Sequence, residues 1–138
     1  MNYVTDDTMN AYLRSVQPMY DGVLGEIQKE AIAAEVPIVP PEVARLLSVL
    51  LTMQKPKNIL EIGTAVAFSA GLMCRYLPEE GTVTTIDRYE VMLKDARVNI
   101  KRMGLEDKIK ILEGDAADIL QTLEGPYDVI FMDAAKGQ

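Results

Sequence analysis

The chain has 138 residues, enough for one domain around one core, and its 49% apolar and 25% charged residues are an ordinary globular balance. With 21 acidic against 14 basic residues the net charge is -7, which argues against gripping nucleic acid by bulk electrostatics. A single cysteine excludes an intrachain disulfide, and the lack of histidine excludes histidine-dependent nucleophilic catalysis and His-ligated zinc within this chain.

The first residues, MNYVTDDTMN, contain no basic segment followed by an apolar one, so no signal peptide is expected. No apolar run approaches the ~18 residues of a membrane span. A cytoplasmic protein is the default expectation.

Residues 6–17 read as a short helix capped by Asp6 or Asp7. Residues 18–35 read as a second, with Met19, Val23, Ile27, Ala31 and Ala34 at steps of three to four. The stretch VPIVPPE, residues 36–42, breaks that rhythm with three prolines. Pro41 suits the first turn of a third helix, 41–54. NILEIG (58–63) is then a short apolar strand ending in glycine. A helix over 67–77 follows, and it holds Cys74 in an apolar pattern that suits the core. TVTTID (82–87) is a strand rich in β-branched residues. Residues 89–103 form a helix with Gly104 as its C-cap. KIKILEG (108–114), DAADILQTL (115–123) and YDVIFMD (127–133) read as strand, helix and strand.

Strictly alternating strands and helices predict right-handed βαβ units and a parallel, doubly wound α/β sheet. The division expected is an N-terminal helical extension over 1–55 and a sheet-bearing core over 56–138. In such a sheet ligands bind beyond the carboxyl ends of the strands. The four predicted tips carry Glu61, Gly63, Thr64 and Ser69; then Asp87; then Gly114 and Asp115; then Asp133 and Lys136.

Each tip has a chemical and a plain reading. Gly63 lets backbone approach a ligand, and the helix after it points free N–H groups at something polar. Asp87 either accepts ribose hydroxyls or is an ordinary turn residue. Asp115 either caps its own helix or accepts from an adenine amino group. Glu61 is a carboxylate inside an apolar run, costly unless paired or used. The Asp133–Lys136 pair alone is a surface turn. A dinucleotide fingerprint starting at Gly63 would need glycines where Ala65 and Phe68 stand, so a nucleoside without phosphates fits better and points to S-adenosylmethionine.

ILEIGTAVAFSA, TTID, EGDAADIL and YDVIFMDAAKGQ, in that order and spacing, resemble the cation-dependent S-adenosylmethionine O-methyltransferases, which include the catechol and caffeoyl-CoA enzymes. The leading helices with VPIVPPE and the DAAKGQ ending are similar to the bacterial branch that methylates 5-hydroxyuridine in tRNA. The resemblance implies a Rossmann-like methyltransferase fold with strand order 3-2-1-4. It implies that Glu61 and Gly63 line the cofactor's amino-acid end and that Ser69 holds its carboxylate. Asp87 would take the ribose hydroxyls, and Asp115 with the backbone of Ala116 would read the adenine. Val39 would lie over the methionine part. Asp133 would face the cofactor and ligate a divalent cation, usually Mg²⁺. Lys136 would be the base at the substrate hydroxyl. A homodimer built by the N-terminal helices is implied as well.

Two departures stand out. Ala67 occupies a position where the family usually has glycine, so its methyl would crowd the cofactor or tilt the helix. Family members also continue with three further strands and an Asp-Asn pair of metal ligands. The chain is therefore expected to be the N-terminal part of such an enzyme, with little turnover alone. The acceptor expected is tRNA 5-hydroxyuridine, with a catechol-like phenol second. A silent cofactor-binding or assembly fragment is the competing class, and a receiver-type domain, on the strength of VIFMD, is a third.

Overall fold

The computed structural model describes residues 6–134. In chain order the elements are α1 (Asp7–Ser15), α2 (Gly22–Ala33), α3 (Pro41–Gln54), β1 (Asn58–Ile62), α4 (Phe68–Cys74), β2 (Thr82–Asp87), α5 (Glu90–Met103), β3 (Ile109–Glu113), α6 (Ala116–Leu120) and β4 (Val129–Met132). The four strands form one parallel sheet in the order β3-β2-β1-β4, as the alternation and the resemblance led us to expect. From β1 to β3 the connections step one way across the sheet; the next one reverses to reach β4. Right-handed crossovers then put α4 and α5 on one face and α6 on the other. The end of β1 is the switch point, where the flanking connections diverge and leave a crevice.

Inward side chains follow the two-residue alternation of strands. Ile59 and Val83 are fully buried, Ile109 nearly so, in one cluster with Phe68 and Leu72 of α4. Full burial of one such side chain is worth about 1.5–3 kcal/mol. Helix α4 is buried on almost every side because α2 and α3 pack over its outer surface. Leu24, Ile27, Ala44 and Leu51 therefore join the same core as the sheet.

The caps read from sequence are in place. Asp6 accepts the amide of Met9 at 2.9 Å, Pro41 opens α3, and Gly104 closes α5 with φ 68°. Element ends are where the structure departs from expectation. Helix α2 begins at Gly22 rather than 18, leaving Met19 about half exposed outside it. Contacts with α4 hold the preceding segment extended. Tyr20 packs edge-on against Phe68 with ring centroids 5.9 Å apart, and the Asp21 carboxylate pairs with Arg75 at 2.7 Å. Helix α4 ends at Cys74 rather than 77, and α6 covers only 116–120 of the expected 115–123. Strand β4 starts at Val129 because Asp128 turns its side chain back to accept the amides of Lys57 and Asn58 at 2.8 and 3.0 Å. Those two bonds also hold the Asp128 carboxyl below the usual carboxylate range.

Two backbone positions give opposite predictions. A Cβ at Gly25 would lie 1.9 Å from the Tyr20 carbonyl oxygen, so Gly25→Ala is expected to destabilise by about 1–3 kcal/mol. Lys55 closes α3 in the left-handed region at φ 50° and is exposed, so Lys55→Gly is expected to stabilise by about 1 kcal/mol. Chemical denaturation of both variants measures the two signs.

Candidate functional site

A cavity of about 400 Å³ lies at the switch point, within the range of ~300–1,000 Å³ common for small-molecule sites. Three strand tips and one turn enclose it. The proline-rich turn forms one wall through Pro37, Val39 and Pro40, and β1's loop forms the floor through Gly63, Thr64 and Ala65. Asp87 and Tyr89 stand beyond β2, and Asp133 beyond β4.

The floor depends on a glycine. Gly63 has φ +105°, and a Cβ there would lie 2.3 Å from the carbonyl oxygen of Asp133. The tips of β1 and β4 can touch only because that side chain is missing. Beyond it the loop turns tightly: Ala65 and Ala67 both adopt left-handed φ, 45° and 68°. The Ala67 methyl sits wholly inside the core, away from the cavity, so it does not crowd a ligand. The departure from glycine is absorbed as backbone strain. Asn99 of α5 steadies the loop by donating to the Val66 carbonyl at 2.9 Å.

Asp87 lies in the cavity wall and is nearly buried, at 8% exposure. One carboxylate oxygen accepts the amides of Thr64 and Ala65 at 3.0 and 3.2 Å. The other accepts those of Arg88 and Tyr89 at 2.7 and 3.1 Å. A carboxylate has about four acceptor positions, so backbone already fills them. Ribose hydroxyls can bind Asp87 only if the longer of these bonds yield.

Glu61 is completely buried and lies behind the cavity wall, not in it. The Ser69 hydroxyl, which does face the cavity, donates to one Glu61 oxygen at 2.5 Å; Thr85 donates to the other at 2.7 Å. Thr85 and Thr64 are joined at 2.7 Å. Burial, opposed by those two hydroxyls, pushes the Glu61 carboxyl up to about 7, with the negative charges of Asp133 and Asp87 adding to the rise.

Asp115 caps α6, accepting the amides of Ala117 and Asp118 at 2.9 and 3.4 Å, and its other oxygen lies 3.5 Å from Arg88. With Ala116 it lines a small groove, which shares Asp87 with the main cavity. Asp133 is exposed and offers one hard oxygen donor. Among the described residues no three His, Cys, Asp or Glu side chains gather as a metal cluster, so Asp133 stands there as a single hard donor. Lys136 lies outside the described residues. Cys74 is buried, its thiol pushed up to about 12 by desolvation, which makes it a poor nucleophile. No helix among the described residues is long and apolar enough to cross a membrane.

Thr85, Phe68 and Tyr89 escaped the sequence reading. Thr85 had a signal: parallel pairing sets it beside Glu61, and a polar residue on the inward face of a central strand calls for a partner. Tyr89 follows Asp87 by two residues, and Arg88 stacks over its ring at 5.5 Å.

A family profile described as O-methyltransferase matches residues 15–138. The chain belongs to the O-methyltransferase family. It is 32% identical to a catechol O-methyltransferase of Niastella koreensis, covering 99% of this chain and 64% of that protein. It is 33% identical to a catechol O-methyltransferase of Mycobacterium tuberculosis, covering 93% and 60%. The chain thus spans less than two thirds of these relatives. Among solved structures it resembles a putative caffeoyl-CoA O-methyltransferase from Staphylococcus aureus (TM-score 0.85, 34% identity, 96% of this chain and 63% of that one). It also resembles a Bacillus cereus O-methyltransferase solved in complex with S-adenosylhomocysteine (TM-score 0.79, 34% identity, 92% and 60%). A likeness at this identity over nearly all of this chain carries the family's sheet order as well as its motifs.

Glu61 couples the stability of the fold to pH. An acid whose folded pKa, about 7, lies above its unfolded 4.5 keeps its proton longer when folded. Its contribution to stability is present below pH 4.5 and is lost as pH rises toward 7. Relative to the parent, Glu61→Gln is expected to gain about 2–3 kcal/mol between pH 5 and pH 8, read by denaturation at each pH.

Proposed function

We propose that this chain binds S-adenosylmethionine in the switch-point cavity and serves methyl transfer to the hydroxyl of a small catechol-like phenol. The observation that carries this reading is the convergence of Gly63, Ser69, Asp87 and Asp133 with Val39 on one cavity, in a chain of the O-methyltransferase family. The cofactor supplies a methyl group on a sulfonium, open to in-line attack by an oxygen.

The residues divide the work by position. Val39 and its flanking prolines cover the methionine part and keep water from it. Gly63 permits close approach at the amino-acid end, and Ser69 offers that end a hydroxyl. Glu61 acts on it through Ser69. Asp87 takes the ribose hydroxyls by releasing its longer amide bonds to Ala65 and Tyr89. Asp115 and the Ala116 backbone border the adenine. Lys136 would take the proton of the attacking hydroxyl, and Asp133 would supply one oxygen ligand to a divalent cation, which would lower that hydroxyl's pKa. The residues over 1–55 act as cap and dimerisation extension in a cytoplasmic homodimer. Val43, Leu46, Leu50 and Met53 form an exposed apolar stripe at helical spacing on α3, which a second copy would cover.

A small phenol is preferred to tRNA 5-hydroxyuridine on two grounds. The relatives above are named catechol and caffeoyl-CoA enzymes, and a chain of net charge -7 is poorly matched to a polyanion.

Calorimetry with S-adenosylhomocysteine tests the pocket: we expect binding, at least tenfold weaker in Asp87→Asn, and no heat at millimolar ligand would sink the reading. Methyl transfer to catechol and to hydroxyuridine-containing tRNA, each with and without EDTA, tests acceptor and cation together. We expect only slow turnover from this chain, on catechol and not on tRNA, and none with EDTA; methylated tRNA alone would replace the acceptor. Sedimentation of the Leu46→Asp, Leu50→Asp double variant is expected to show monomer where the parent shows dimer.

A further inference from the structure

Four side chains run in one hydrogen-bonded line from the loop to the cavity: Thr64, Thr85, Glu61 and Ser69. Each hydroxyl has a single proton to give. While Glu61 is ionised Thr85 gives its proton to Glu61, and the proton between Thr64 and Thr85 then comes from Thr64. The bond between Glu61 and Ser69 reverses when the carboxyl takes its proton on the oxygen that faces Ser69. If Glu61 is ionised, Ser69 must donate inward, and its oxygen can only accept from the cavity. If Glu61 carries a proton on that oxygen, it donates to Ser69, and Ser69 is free to donate outward.

We propose that Glu61 sets the hydrogen-bonding polarity of Ser69 toward the cavity, its protonated form turning Ser69 into a donor for an anionic ligand group. Glu61 is thus a positioning residue that acts through Ser69. The idea rests on the reading above, which seats the cofactor's carboxylate at Ser69.

The surroundings hold Glu61 near its switching point. Its side chain is fully buried between β1, β2 and α4. The charged groups that bear on it, Asp87 at the end of β2 and Asp133 beyond β4, are both acids, and Cys74 of α4 remains a thiol. Desolvation and like charge therefore both favour the protonated carboxyl, and a ligand carboxylate at Ser69 favours it further. Binding of such a ligand takes up a proton, and affinity falls as pH rises above about 7.

Two nucleosides separate this from the cofactor reading. S-adenosylhomocysteine carries the amino-acid carboxylate and ammonium; 5′-methylthioadenosine has the same nucleoside and thioether without either, and Glu61→Gln then isolates the carboxylate's effect. In EDTA, calorimetry at pH 6 and pH 8.5 is expected to show S-adenosylhomocysteine binding about tenfold weaker at the higher pH. Heats in buffers of different ionisation enthalpy should show uptake of most of one proton at pH 7.5. Methylthioadenosine should show neither effect. Glu61→Gln, whose amide donates to Ser69 at every pH, should lose the pH slope and bind S-adenosylhomocysteine more tightly than the parent at pH 8.5. Proton release, a flat parent profile, or a slope that survives in Glu61→Gln would overturn the assignment while leaving the cofactor reading intact. Binding of neither nucleoside would overturn both.

Discussion

The Asp87 carboxylate, tied to four backbone amides, is the interaction on which the site depends. Two of those amides belong to the loop after β1 and two to the turn after β2. One side chain thereby fixes both strand tips and the floor between them. A buried amide left unpaired costs about 1–3 kcal/mol, so the loop has a strong reason to keep this course. The left-handed Ala65 and Ala67 are tolerated inside that framework, because the surrounding bonds over-determine the turn.

From Thr64 in the floor a second polar layer runs beneath it, unusual for the centre of a parallel sheet. Glu61, Thr85 and Thr64 are all fully buried. They remain affordable because each finds a partner within the layer. Removing one member leaves the others exposed to the full cost of desolvation, so the set behaves as a unit. Its outlet is Ser69, the member of the line that touches both the carboxyl and the cavity. The same burial that raises the Glu61 carboxyl is what makes its protonation matter to a ligand.

The two faces of the sheet are covered unequally. The face under α4 and α5 carries a second sheath of α2 and α3. On the other face Ile130 and Met132 of β4 are 61% and 70% exposed. They alternate with Val129 and Phe131, which pack into the core. Strand β4 thus has one finished side and one apolar side open to solvent.

By itself the sequence determined the element types, the parallel sheet and the set of strand tips, because hydrophobic period, prolines and glycines act locally. Strand order followed from the family motifs. Caps at Asp6, Pro41 and Gly104 were equally legible, since a cap is a matter of neighbours in the chain. Tertiary contacts alone decided where α2 begins, because Tyr20 and Asp21 are held by Phe68 of α4 and by Arg75 just after it, far along the chain. They also decided what each acid does. Asp87, Asp115 and Glu61 look alike as carboxylates at strand ends, yet one binds four amides, one caps a helix and one lies buried behind a serine. Desolvation and hydrogen-bond partners set those roles, and both depend on which distant segments the fold brings together.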